Sequence, residues 1–110
     1  MTKFQPVSAD QERLEAIAAR LKETYGARQV ILFGSASRGE ATEDSDIDLL
    51  VISPTSEKFY ERMATVLRLV RDLSRGMPLA PIVLTPEEFK ARLDQGDQFI
   101  REIAVTGVPL

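Results

Sequence analysis

Apolar residues along this chain switch repeatedly between helical and strand spacing. Leu14, Ile17, Ala18, Leu21 and Tyr25 recur every three or four positions, the stripe of an amphipathic helix. Ser8 with Gln11 forms a capping box before the stripe and Gly26 follows it, which predicts a first helix over residues 9–25. Its other positions, Glu12, Arg13, Glu15, Arg20, Lys22 and Glu23, read as a mixed-charge solvent face with no specific role. Two largely apolar runs follow, Gln29-Val30-Ile31-Leu32-Phe33 and Ile47-Asp48-Leu49-Leu50-Val51-Ile52, and predict strands, the second stopped by Pro54.

The helical period then returns. Phe59, Met63, Val66, Leu67, Val70 and Leu73 trace a core-facing stripe from residue 55 or 56 to about 74, with Gly76 at its end. Arg62, Arg68, Arg71 and Arg75 lie off that stripe and read as surface. The run 79–84 predicts a third strand, and Pro81, which donates no ladder hydrogen bond, assigns it to an edge, a strand start or a bulge. Thr85-Pro86-Glu87-Glu88 carries three start signals for a helix: a threonine cap, proline at the first position and a glutamate reaching back. Phe89 and Leu93 form its apolar face. Gln95-Gly96-Asp97 interrupts, and Phe99, Ile100, Ile103 and Ala104 predict a last helix ending near Gly107. The alternation implies an α/β or α+β domain with a small mixed sheet flanked by helices. With 110 residues and 44% hydrophobic content, one core and one domain spanning residues 1–110 are expected, and no repeat or linker divides them.

The candidate chemistry lies between the first two strands. Phe33-Gly34-Ser35-Ala36-Ser37-Arg38-Gly39 turns out of one strand, and ten residues separate Ser35 from Asp46-Ile47-Asp48 at the head of the next. Strand alternation sends Asp46 and Asp48 to the same side. Two like charges that close repel unless a cation sits between them, and oxygen ligands suit a hard ion such as Mg2+ or Mn2+. Gly34 and Gly39 permit a tight loop whose N–H groups can approach a phosphate; Ser35 adds a hydroxyl donor, and Arg38 would neutralise phosphate charge or clamp the loop. The bland alternative makes Asp46 a turn cap, Asp48 a solvated strand residue and the glycines a bend.

Composition removes competing chemistries. The chain has no cysteine and no histidine, so thiol nucleophiles, thiolate metal sites, histidine triads and imidazole ligands are excluded. Carboxylate, hydroxyl and cation remain, which favours oxygen-ligated metal chemistry. A net charge of −3 without basic clusters or stacking aromatics argues against a direct nucleic-acid surface. No run approaches membrane-spanning length and the first residues lack a signal-peptide core, so a soluble cytoplasmic protein is expected.

Gly34-Ser35, the ten intervening residues, Asp46-Ile47-Asp48, the Arg38-Gly39 pair and the Leu84-Thr85-Pro86-Glu87-Glu88-Phe89 junction together resemble the minimal nucleotidyltransferases of the DNA polymerase β-like superfamily. The resemblance covers nearly the whole chain. It implies the nucleotidyltransferase fold, ATP or another nucleoside triphosphate as substrate, two magnesium ions, and transfer of a nucleotidyl group, AMP, to a hydroxyl. Asp46 and Asp48 would be the catalytic pair bridging metals about 4 Å apart, while Gly34 and Ser35 grip the outer phosphates. It further implies the antitoxin half of a toxin–antitoxin pair, with a HEPN-type ribonuclease as partner and a tyrosine on it as acceptor. A homo-oligomer remains open.

The chain departs from that pattern at one position. Counting back from Thr85, the third metal carboxylate of the family falls on Ala80, and no Asp or Glu lies between Ser74 and Pro86. Nucleotide binding should survive this and hydroxyl activation should suffer most. Two readings follow: a nucleotidyltransferase, or a catalytically degenerate nucleotide- or partner-binding module that acts by contact.

Overall fold

The computed structural model describes residues 8–34, 37 and 46–110. Helix α1 (Ser8–Thr24) leads into strand β1 (Gln29–Phe33), followed by β2 (Ile47–Ile52), helix α2 (Phe59–Leu69), β3 (Leu79–Leu84), helices α3 (Pro86–Asp94) and α4 (Gln98–Thr106), and a short β4 (Val108–Pro109). The sheet order is β3-β2-β1-β4. Strand β1 runs antiparallel to both β2 and β4, whereas β2 and β3 are parallel, joined through α2 as parallel neighbours require. The sheet is therefore mixed, as expected, and β3 takes an edge, where the missing N–H of Pro81 is tolerated.

The three long strands read as continuous apolar runs because helices cover both faces. On one face Val30, Leu32, Leu49, Val51 and Val83 pack against Leu14, Ile17, Ala18 and Leu21 of α1 and Val66 of α2. On the other, Ile31, Phe33, Leu50, Ile52 and Leu84 meet Ile100 and Ile103 of α4, with Phe89 and Leu93 of α3 alongside. Thr85 caps α3 as expected: its hydroxyl accepts from the Glu88 N–H at 3.1 Å, and the Glu88 carboxylate accepts from the Thr85 N–H at 2.8 Å. The capping box at Ser8 involves a side chain outside the described residues.

Helix α2 corrects three expectations. It begins at Phe59, where Lys58 is extended and its N–H donates to the Glu61 carboxylate at 2.9 Å, while the Glu57 carboxylate just before accepts from Tyr25 Oη at 2.7 Å and Thr65 Oγ1 at 2.6 Å. It ends at Leu69, short of residue 74, and side chains of α1 take up carbonyls there and in the turns that follow. Arg20 donates to Leu69 O at 3.0 Å and pairs with Asp72, and Arg13 Nε donates to Leu73 O at 3.0 Å. Those two arginines are thus not an idle solvent face. The stripe also rotates from its expected position: Phe59 and Met63 are exposed, and Arg62 is buried. Arg62 donates to Val83 O at 3.2 Å and Glu57 O at 3.1 Å and pairs with Glu88 at 2.7 Å.

Candidate functional site

The site forms at one end of the sheet, where β1 stops and β2 starts. Strand register places Phe33, Asp48 and Ala80 in one lateral row across β1, β2 and β3. Alternation puts that row on the face of Leu50 and Ile52, the side covered by α3 and α4. Past Phe33 the chain bends at Gly34 with φ +77°, a left-handed conformation that glycine adopts without cost. The bend is held by Ser37, which is buried and whose hydroxyl donates to Gly34 O at 2.8 Å while its N–H reaches the same oxygen at 3.2 Å.

Asp48 lies directly against this turn. A β-carbon built on Gly34 would overlap Asp48 Oδ2 and stand 3.3 Å from its Cγ. The absence of a side chain at residue 34 makes room for the carboxylate itself, closer to the acid than a loop glycine alone implies. Asp48 is half-buried and Asp46, just before the strand, is exposed. Burial pushes the Asp48 carboxyl above its usual range, and the negative charge of Asp46 adds to the shift. Asp48 thus packs against the Gly34 turn while keeping access to water. A cation between the two would offset both the burial and the repulsion, so the pair fits a hard divalent ion held by oxygen.

Ala80 stands beside Asp48 in the parallel register, on the strand next door, and supplies no ligand atom. Among the described residues, no group of three potential metal-ligating side chains occurs. Ser35 and Arg38, the other expected phosphate ligands, lie outside the described residues, as does Gly39.

Two features of this end were not foreseen. Phe33 is buried under Phe99, the second residue of α4, in an edge-on contact with ring centroids 5.6 Å apart. Ser37 was visible only as a member of the motif loop; its hydroxyl bond back to residue 34 is a local turn that serine favours. Neither Phe33 nor Phe99 carried a signal beyond apolar spacing.

A model of the nucleotidyltransferase domain matches residues 14–108, nearly the full length. The chain belongs to the nucleotidyltransferase domain family. Its relatives include protein adenylyltransferases: over 38 residues it is 53% identical to protein adenylyltransferase MntA of Thermococcus cleftensis, covering 34% of this chain and 38% of that protein. It is 37% identical over 65 residues to a candidate protein adenylyltransferase of Methanocaldococcus jannaschii, covering 59% of this chain and 63% of the relative. A second from that organism is 30% identical over 87 residues, 77% of this chain and 83% of the relative. The match thus spans less than two thirds of the length of the first two relatives and more of the third. A solved structure, a candidate nucleotidyltransferase of Sulfolobus solfataricus, superposes with a TM-score of 0.48 at 23% identity over 83% of this chain and 82% of that one. Within this nucleotidyltransferase domain, no helix among the described residues is long and apolar enough to cross a membrane.

Proposed function

We propose that this nucleotidyltransferase domain binds a magnesium–nucleoside triphosphate, ATP, at Asp46, Asp48 and the Gly34 turn, and moves AMP to a hydroxyl of a partner protein. The observation that carries the reading is the fit of the Asp48 carboxylate into the space left by Gly34, with the charge of Asp46 beside it. Similarity to protein adenylyltransferases supports AMP as the group and a protein as acceptor. The HEPN-type ribonuclease partner, and with it the antitoxin role, follows from the resemblance of the Gly34-Ser35 to Asp48 motif.

The residues have separable tasks. Asp46 and Asp48 hold the cation, Gly34 lets backbone approach the phosphates, and Ser35 and Arg38 add a hydroxyl and a positive charge. When bound, magnesium supplies charge neutralisation on the triphosphate and polarises the α-phosphate. In the transfer, the acceptor oxygen forms a bond to the α-phosphorus, the bond from that phosphorus to the β-bridging oxygen breaks, and pyrophosphate leaves. The proton of the acceptor hydroxyl must pass to a base. On the β3 side of Asp48 the chain offers Ala80 in place of a third metal carboxylate, so the acceptor protein supplies both that ligand and the base that takes the proton.

Ala80 also favours a second reading, in which the domain keeps its nucleotide and neutralises its partner by contact. Incubation with labelled ATP, magnesium or manganese and the protein encoded beside it separates the two. The transfer reading expects the partner's intact mass to rise by one AMP per acceptor hydroxyl. A blank with every metal, together with transfer by the Ala80→Asp variant, selects the contact reading.

A further inference from the structure

We propose that Phe99 is the stacking platform for the base of the bound nucleotide, an inference that rests on the nucleotide site at Asp46 and Asp48. The topology brings it there. Helix α4 lies along β1 in the opposite sense, with Gly107 at Ile31 and Phe99 at Phe33, so its first turn reaches the end of the sheet where Asp48 sits. Phe33 bridges the two. Its ring touches Phe99 edge-on, and on β2 its cross-strand neighbour is Asp48, about 5 Å away between backbones.

Phe99 nonetheless keeps 48% of its surface open, whereas Phe33 keeps 8%. Beyond its edge-on contact with Phe33, that half-open ring is apolar area at the end of the sheet where Asp48 lies. Its position is stiff. Asp97 caps the turn by accepting from the Ile100 N–H at 3.1 Å, and its own N–H donates to Arg92 O at 3.0 Å. Ile100 and Ile103 anchor the helix in the core at 0% and 3% exposure. A ring held this way loses little freedom when a flat group lies on it, which is what a base requires. Among the described residues, the exposed Phe59, Tyr60 and Met63 belong to α2 on the opposite face of the sheet and have no such continuity with Asp48.

The chain contains no tryptophan, so the Phe99→Trp variant carries a single indole as reporter. Its fluorescence should be quenched by Mg-ATP and by Mg-GTP, since stacking tolerates any base, but not by magnesium tripolyphosphate, which has none. By titration calorimetry, Phe99→Ala should bind Mg-ATP about tenfold more weakly than wild type and tripolyphosphate equally well. Wild-type affinity for Mg-ATP in Phe99→Ala, or equal loss of both ligands, overturns the platform alone. Loss of partner labelling with Mg-ATP affinity intact makes Phe99 an acceptor contact and also overturns it. A wild-type protein that binds neither ligand removes the nucleotide site and the platform together.

Discussion

The Asp48 carboxylate occupies the space that a side chain on Gly34 would need, and Gly34 itself sits at φ +77°. Gly34→Ala therefore meets a left-handed backbone penalty of about 1–2 kcal/mol and also pushes the Asp48 carboxylate out of its place. The melting temperature should fall by roughly 10 °C in a thermal scan, given about 4–8 °C per kcal/mol for a domain of this size. An unchanged melting point would mean the turn does not pack as described.

Asp48 carries a charge that the fold does not welcome in the absence of a cation. Asp48→Asn keeps the shape and removes the charge, so the ligand-free variant should melt higher than wild type. The gain is held to on the order of 2 °C because the carboxylate still reaches water. Differential scanning calorimetry without metal or nucleotide measures it. A lower melting point would point to hydrogen bonds that only the carboxylate can accept.

Much of this fold could be read along the chain, for a physical reason. Strands β1, β2 and β3 match their expected bounds because burial on both faces leaves unbroken apolar runs, and α3 announces itself through contacts local to Thr85–Glu88. What could not be read depends on distant partners. Arg62 looks like surface until Glu88, 26 residues on, and the Val83 carbonyl claim its guanidinium. The strand β4 has two residues and exists because Ile31 and Leu32 pair with it. At the site, alternation predicts Asp46 and Asp48 on one side, and the family resemblance, counted back from Thr85, picks out Ala80, which the register sets beside Asp48. The approach of Asp48 to Gly34 needs the Phe33–Asp48 register, which no local pattern encodes.

The Arg62–Glu88 pair should govern the acid limb of stability. The hydrogen bond from Arg62 holds the Glu88 carboxyl below its ordinary range, against the opposing effect of burial and with help from the Thr85 N–H. Glu57 is lowered as well, chiefly by hydrogen bonds from the Thr65 and Tyr25 hydroxyls and less by the charges of Arg68 and Arg62, against the opposing effect of burial. Unfolded glutamate titrates near 4.3, so this contribution is complete above about pH 5 and is lost as the pH falls through the folded-state value. Arg62→Ala should cost about 1–3 kcal/mol in urea unfolding at pH 7, since it orphans the Val83 carbonyl as well. Glu88→Gln should cost less, about 1 kcal/mol, because that side chain is 42% exposed, and should flatten the fall below pH 5.

Ala80→Asp places a third carboxylate in the row with Asp48. Without metal it should lower the melting temperature through like-charge repulsion, and manganese should restore it. Transfer to the partner protein should rise at least about tenfold. A variant that melts like wild type in both conditions would mean residue 80 does not face Asp48.

Titration calorimetry of ATP into the wild-type protein and the Asp46→Asn and Asp48→Asn variants, with and without magnesium, addresses the two-carboxylate site most directly. The site described here predicts binding by wild type only when magnesium is present, and its loss in either variant. Equal binding with and without the metal, or retention in both variants, contradicts it.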